Sequence, residues 1–295
     1  MRSLSGKVVF ITGSAGGIGT EVTRLLHGMG AKLVLTDADA DALAALSESL
    51  GSDDRVLTGV TDVRDLSAMQ ELAARAVERF GGIDIVLANA GIISFGSVLN
   101  LDSAVFKRVL DVDLLGVFHT VRATLPAVVE RKGYVLVVSS VAAFGAAPGI
   151  TPYLAAKAGV EHFANGLRIE VAHQGVDVGL AHMSWVDTPM VREATTELTT
   201  FKRMYGSMPG PMGRTVPADQ CAAAFVQAMQ RRQRHVFCPR WAGIMRWIRP
   251  AIASRLAERP LRTIARKFLP VMDAEAAALG RGTSRRVEAL EKPQG

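Results

Sequence analysis

Cysteine is nearly missing from this sequence of 295 residues, with only Cys221 and Cys238 present. That excludes a disulfide-stapled scaffold and any CxxC metal or redox motif, and it fits a reducing compartment, so the cytoplasm is the expected location. The histidines (His27, His119, His162, His173, His182, His235) fall at no metal-ligand spacing, and no metal site is expected. No uninterrupted apolar run reaches the roughly 18 residues that span a bilayer, so no segment is expected to cross one. The apolar stretch in MRSLSGKVVFITGSAGG is cut by Gly13 and has no cleavage-like tail, so it reads as a strand rather than a leader. Aromatics make up only 6% of the chain. Acids are scarce at one end: from Arg240 onward there are twelve Arg or Lys against five Asp or Glu, a net of +7. Residues 1–239 carry 22 bases and 23 acids, so the formal charge of +6 belongs to the tail.

What is present is hydrophobic and glycine-rich: 49% of residues are apolar and 28 are glycine, a composition that supports a sizeable core with many tight turns. Short β-branched runs alternate with helical periods: KVVFIT, KLVLT, RVLTG, IDIVLA, YVLVVS and VDVGLA, with a long helix expected over about 102 to 131. Alternation of this kind implies a doubly wound α/β fold, a parallel sheet covered on both faces by right-handed crossovers. HVF at 235 to 237 reads as the last strand. Residues 189 to 216, rich in Thr, Met, Gly and Pro, show no clear period and read as a mobile loop or lid.

Three local patterns carry chemistry. Directly after the first strand stands TGSAGGIG, residues 12 to 19, a turn whose backbone N–H groups can hold a pyrophosphate at a helix N-terminus. Gly13, Gly17 and Gly19 let the backbone come close. Asp37 closes the second strand eighteen residues beyond Gly19, where a carboxylate can accept hydrogen bonds from ribose hydroxyls and repel a 2′-phosphate. Its other reading is the N-cap of the following helix. No basic residue lies in the glycine turn or right after Thr36, which favours NAD over NADP. Within PYLAAKAG, Tyr153 and Lys157 are one turn apart and share a helical face.

Together these motifs resemble the short-chain dehydrogenase/reductase family over about residues 5 to 238. The resemblance implies a Rossmann fold and cofactor contacts from Gly13, Gly17, Ile18 and Gly19. It adds Asp62 and Val63 at the adenine, and Asn89 in the sheet-stabilising Asn89-Ala90-Gly91 element. Ser140, Tyr153 and Lys157 are the implied catalytic set, with Tyr153 and Lys157 also touching the cofactor. Ser140 precedes Tyr153 by thirteen residues, as the family pattern expects; Ser139 is its rival. A free tyrosine, with a pKa of about 10, is a poor base near neutrality, and a lysine one turn away favours the phenolate. Ser140 would stabilise charge developing on the substrate oxygen.

Two departures stand out. The family's DVNL reads Asp111-Val112-Asp113-Leu114 here, so an acid replaces the asparagine that anchors a water relay, and a carboxylate near Lys157 would oppose the phenolate. The family's PGFIDTPM reads MSWVDTPM, residues 183 to 190, which keeps Val186 and Thr188 as contacts to the nicotinamide half but makes the loop turn by another route. Trp185 either shapes the pocket floor or packs on the sheet.

Apolar residues gather where a substrate would sit: Met190, Phe201, Met204, Tyr205, Met208 and Met212 in the presumed lid, and Ile92, Ile93, Phe95 and Phe144 elsewhere. The expected activity is hydride transfer between NAD and a hydrophobic secondary alcohol or ketone, lipid-, steroid- or terpenoid-like. A cofactor-binding regulatory or scaffold protein with little turnover is the alternative. The expected division is a Rossmann-type catalytic unit over 1–239 and a basic amphipathic extension over 240–295. Pro250, Pro260 and Pro270 are expected to break that extension into short helices, with the last 25 residues polar and disordered. Three roles stay open for it: a cap over the pocket, an oligomer contact, or a surface on anionic lipid. No nucleic-acid motif appears. The family resemblance implies a homodimer or homotetramer packed through helices near 102 to 131 and 151 to 173.

Overall fold

Seven β-branched apolar segments build one sheet. In the computed structural model, which describes residues 1–51, 54–208 and 210–291, they are β1 (Val8–Thr12), β2 (Lys32–Asp37), β3 (Val56–Val60), β4 (Ile85–Ala88), β5 (Tyr134–Ser140), β6 (Asp177–Met183) and β7 (His235–Cys238). All pairings are parallel, in the order β3-β2-β1-β4-β5-β6-β7. The order reverses between β1 and β4, and ligands of such sheets bind beyond the strand C-termini at that reversal. The register brings Thr12 beside Thr36 and Ser140 beside Met183.

Alternate strand residues feed two cores. Val9, Ile11, Leu33, Leu35 and Leu136 pack under α1 (Gly17–Gly28) and α9 (Ala218–Arg231). Val8, Phe10, Val34, Val86 and Val135 pack under α3 (Leu66–Phe80), α5 (Gly116–Glu130) and α6 (Thr151–Val171). Each side chain of this size, fully buried, contributes about 1.5–3 kcal/mol relative to exposure. Asp39, not Asp37, caps α2 (Ala40–Ser49), accepting from the Ala42 N–H.

The expected helix over about 102 to 131 is interrupted by a change of winding. α4 (Ser103–Leu110), capped by Asp102, passes through a π turn at Asp111–Leu115 into α5. By length and mean hydropathy, 1.3, the segment Ser103–Glu130 could cross a membrane, yet Val109, Val117, Val121 and Val128 bury one face in the protein. Its outer face leaves Leu115 and Phe118 at 43% and 42% exposure.

Residues 189 to 216 are not an irregular loop: they form α7 (Pro189–Glu197), α8 (Thr199–Gly206) and a 3₁₀ turn at Gly210–Gly213. The Thr188 side chain caps α7 with Pro189 in the first turn, a start signal present in the sequence. Beyond β7 come α10 (Ala242–Trp247), α11 (Arg249–Ile252), α12 (Arg255–Leu279) and α13 (Arg285–Glu291).

Here two expectations fail. Pro260 and Pro270 lie inside α12, which runs on through both. Each removes one backbone donor, but tertiary anchors hold the helix: Asp273 accepts from the Ser97 N–H (2.7 Å) and Oγ (2.6 Å), Glu275 from the Thr200 N–H (3.1 Å), and Phe268 and Met272 are buried. The end of the chain is also ordered as helix through Glu291, because its charged side chains find partners on the main body; residues 292–295 lie outside the described part.

Candidate active site

The glycine turn joins β1 to α1 as the sequence indicates. Gly13 has φ +61°, and a Cβ there would stand 2.9 Å from the Ala90 Cα. At Gly19 a Cβ would meet the Gly13 carbonyl oxygen at 2.1 Å, so this glycine serves the close packing behind the turn rather than the cavity wall. Asn89 ties the turn down: its Nδ2 donates to the carbonyls of Thr12 and Gly13, both at 3.1 Å, and its N–H donates to the Thr12 Oγ1 at 3.0 Å.

Gly13, Gly17 and Ile18 line one side of a cavity of about 760 Å³. The same cavity gathers Asp37, Asp62, Val63, Asn89, Ser140, Tyr153, Lys157, Val186 and Thr188 from six separate stretches of chain. Asp37 Oδ2 accepts from the Ala15 N–H within the glycine turn at 3.1 Å. Asp62 takes the guanidinium of Arg64, with Nη2 at 2.6 Å. A bare-backbone cradle that any Cβ would fill, with a carboxylate at the end of β2, suits a dinucleotide.

At the other end of the cavity, β5 and α6 bring together Ser140, Tyr153 and Lys157, the expected catalytic set. Ser140 Oγ donates to the Met183 carbonyl at 3.2 Å and accepts from the Ala142 N–H at 3.1 Å. Ser139 points the other way, donating to the Lys157 carbonyl at 3.0 Å, so the two serines are told apart by the alternation of β5. Lys157 Nζ lies 5.4 Å from the centroid of the Tyr153 ring and donates to the Val138 carbonyl at 3.4 Å.

The π turn brings the acid of the Asp111–Leu114 departure to the lysine. Asp113, fully buried, accepts from the Ile92 N–H at 2.7 Å and places Oδ2 3.0 Å from Lys157 Nζ. A Cβ on Gly91 would stand 3.0 Å from that same oxygen, so the third residue of Asn89-Ala90-Gly91 clears the way for the ion pair. Burial raises the Asp113 carboxyl, with Lys157 and the Ile92 N–H pulling it back. Burial works against the Lys157 charge, yet Asp113 and then Tyr153 hold the ammonium above its ordinary range. For Tyr153, burial pushes the phenol up, Lys157 draws it down, Asp113 adds to the upward push and Ser140 draws it down.

The walls around Tyr153 are apolar: Ile92, Ile93, Phe95, Trp185, Met190, Phe201, Met204 and Met208 all line the cavity. Of its two readings Trp185 takes the first: it lines the cavity, and its ring packs not on the sheet but on Phe201 and Tyr205 of α8, at 5.4 and 5.2 Å between ring centroids. Tyr205 itself sits behind Trp185, and Phe144 stacks on His182 at 4.4 Å, so neither reaches the cavity. The side chain of Met212 lies outside the described part. In MSWVDTPM the missing Pro-Gly is replaced by a bond from the Ser184 N–H to the Cys238 carbonyl, 2.9 Å, and Val186–Asp187 pairs with Val216–Pro217.

Sequence reasoning left the tail's placement open, and the structure folds it over the cavity. Trp241, Ile248, Ile252, Leu261 and Ile264 roof the substrate end, and Arg286, Val287 and Leu290 of α13 border the adenosine end. No local signal marks these residues, because the side chains they meet are distant in sequence.

The family model described as short chain dehydrogenase matches residues 7–199. The chain belongs to this family. An NAD-dependent oxidoreductase of Mycobacterium tuberculosis is 36% identical over 69% of this chain and 80% of the relative. The oxidoreductase UcpA of Salmonella typhimurium is 35% identical over 64% of the chain and 73% of the relative. Among solved structures, levodione reductase superposes with a TM-score of 0.70 at 28% identity, covering 77% of this chain and 91% of its own. A short-chain dehydrogenase/reductase of Burkholderia phymatum in complex with NAD shares the fold, with a TM-score of 0.74 at 24% identity over 89% and 97%.

Proposed function

We propose that this short-chain dehydrogenase is an NAD-dependent oxidoreductase that interconverts a hydrophobic secondary alcohol and its ketone. The observation that carries the substrate class is the wall around Tyr153: apolar side chains from β5–α6, α7, α8 and the tail meet there. Glu193, the acid at the rim, is already paired with Arg281 at 3.2 Å. A sugar or an acid would find few polar partners in such a pocket, and burying an unpaired polar group costs about 1–3 kcal/mol.

A bound nicotinamide supplies the hydride acceptor or donor. Tyr153 removes the hydroxyl proton at its Oη when the alcohol is oxidised and returns it to the ketone oxygen in reduction. Lys157 stabilises the phenolate from one helical turn away, and Ser140 hydrogen-bonds the substrate oxygen where charge develops. Asp37 receives the adenosine ribose, Asp62 and Val63 border the adenine, and Val186 and Thr188 face the nicotinamide half. The Asp113–Lys157 ion pair keeps the lysine charged and in place, which weakens the case for a cofactor-binding protein without turnover.

We assign residues 240–295 as an extension that caps the Rossmann unit of 1–239. Its outer surface exposes Ile244, Trp247 and Leu256 at 62%, 81% and 70% among arginines, which supports peripheral contact of a cytoplasmic enzyme with anionic lipid. Exposed Leu115 at the end of the π turn, Phe118 on α5 and Ile169 on α6 support pairing of two copies through that face.

The test is spectrophotometric: purified enzyme with NAD against a panel of apolar and polar secondary alcohols, with Tyr153→Phe as control. Turnover is expected on the apolar members, falling about 10²- to 10⁴-fold in the variant, the usual share of general acid–base catalysis. Turnover confined to sugars or hydroxy acids would overturn the substrate class.

A further inference from the structure

The adenosine end of the cavity contains a charged side chain that neither the glycine turn nor the strand ends supply. Arg286, in the first turn of α13, sets its Nη2 3.0 Å from Asp37 Oδ1 and its Nε 2.8 Å from Asp39 Oδ2. Asp37 is the carboxylate assigned to the ribose, so the guanidinium stands beside the group that a ribose 2′ hydroxyl would meet. The placement is firmly held. Arg64 reaches Glu291 at 2.8 Å, Arg108 reaches Glu288 at 3.1 Å, and Val287 packs with Ile92 and Val109. Just upstream, the Phe95 N–H donates to the Gly282 carbonyl at 3.0 Å, and Arg281 pairs with Glu193.

We propose that Arg286 is a cofactor-specificity residue, supplied by the C-terminal helix, which sets how strongly the site discriminates between NAD and its 2′-phosphorylated counterpart. An isolated carboxylate at the end of β2 accepts a ribose hydroxyl and repels a 2′-phosphate. Here that carboxylate is already shared: Oδ2 is held by the Ala15 N–H, while Oδ1 accepts from the Asp39 N–H and from Arg286. A guanidinium has five donors in a planar fork, and Arg286 is seen to spend two of them on Asp37 and Asp39. Its remaining donors and its charge suit a phosphate oxygen. The charge cancels the repulsion that Asp37 alone would exert, so the chain tolerates the phosphorylated cofactor better than the acid at the end of β2 implies.

The experiment is a fluorescence titration of the full-length protein with NADH and with NADPH, which requires no substrate and so stands apart from the alcohol class. Arg286→Ala is expected to weaken NADPH relative to NADH by about tenfold, the scale of one part-exposed charge acting on a phosphate. Arg286→Lys should keep most of the wild-type ratio, and Asp37→Ala should shift the ratio toward NADPH. If Arg286 merely pins α13, Arg286→Ala changes both affinities in parallel; an unchanged ratio, or one that moves toward NADPH, overturns the assignment. The inference rests on the cavity being a dinucleotide site: failure of both nucleotides to bind the wild-type protein would overturn that reading with it, whereas NADH binding with no detectable NADPH binding would overturn the inference alone.

Discussion

Lys157 answers to two side chains. Its ammonium is 3.0 Å from the Asp113 carboxylate and 5.4 Å from the Tyr153 ring centroid; Lys157 and Asp113 are buried, while Tyr153 is half-buried at the cavity wall. A buried cation needs a counterion, and Asp113 supplies one where the family has a neutral asparagine. The consequence falls on Tyr153, whose phenol is pushed up first by burial and further by the Asp113 charge. Alcohol oxidation requires the deprotonated phenol, so a raised pKa confines fast oxidation to higher pH. Asp113→Asn removes the negative charge that opposes the phenolate, while the asparagine carbonyl oxygen can still accept from the Lys157 ammonium, so the phenol pKa falls. The acid limb of kcat/KM for alcohol oxidation is therefore expected to move to lower pH in this variant, and an unmoved limb would refute the electrostatic role. Asp113→Ala, which also leaves the Ile92 N–H without its acceptor, should lower unfolding stability by about 3–5 kcal/mol, as truncating one member of a buried pair does.

At the scale of elements, α12 shows tertiary packing prevailing over a local rule. Two interior prolines each cost a helix about 3 kcal/mol or more, and the helix survives because its inner face is anchored at Ser97, Asn100 and Thr200. Met272 is fully buried in the cluster of Phe95, Ile150, Phe201 and Phe268, with its sulfur close to Gly149. Met272→Ala is expected to cost about 2–5 kcal/mol and to lower Tm accordingly. A loss below about 0.5 kcal/mol would mean that α12 is dispensable to the fold, in line with surface substitutions. The seven strands, the glycine turn and the Tyr153–Lys157 pair were legible beforehand because each is written in a few adjacent residues with a fixed period. Ser140 followed from spacing, and the alternation of β5 explains why Ser139 is not its equivalent. What escaped is held by distant partners: the π turn that turns Asp113 inward, α12 running through its prolines, and Arg286, which meets Asp37 across 249 positions of sequence. The α7 start was a missed local signal, since Thr188 before Pro189 marks a helix N-terminus.

At the scale of the whole molecule, the excess positive charge and a group of exposed apolar side chains fall together in the tail. The roof of the substrate cavity and the basic exposed surface belong to the same segment: Ile248 and Ile252 face inward along the cavity while Ile244, Trp247 and Leu256 face out among Arg246, Arg255 and Arg259. On the proposal of peripheral contact, an amphipathic basic surface of this kind would bind anionic lipid, each base near the membrane contributing about 1 kcal/mol and the apolar side chains adding insertion. Such a location would let an apolar substrate pass from the lipid toward the roof without entering bulk water. The enzyme is therefore expected to cosediment with vesicles containing phosphatidylserine at low ionic strength and to be released as salt rises to about 0.5 M, where screening shortens the reach of charge below the roughly 8 Å of physiological solution. Trp247→Ala and Leu256→Ser should weaken binding without abolishing its salt dependence, whereas Arg255→Gln and Arg259→Gln should flatten that dependence. Enzyme that stays in the supernatant with phosphatidylserine vesicles at low salt would assign the exposed surface elsewhere, with contact between copies through the tail as the next case to measure.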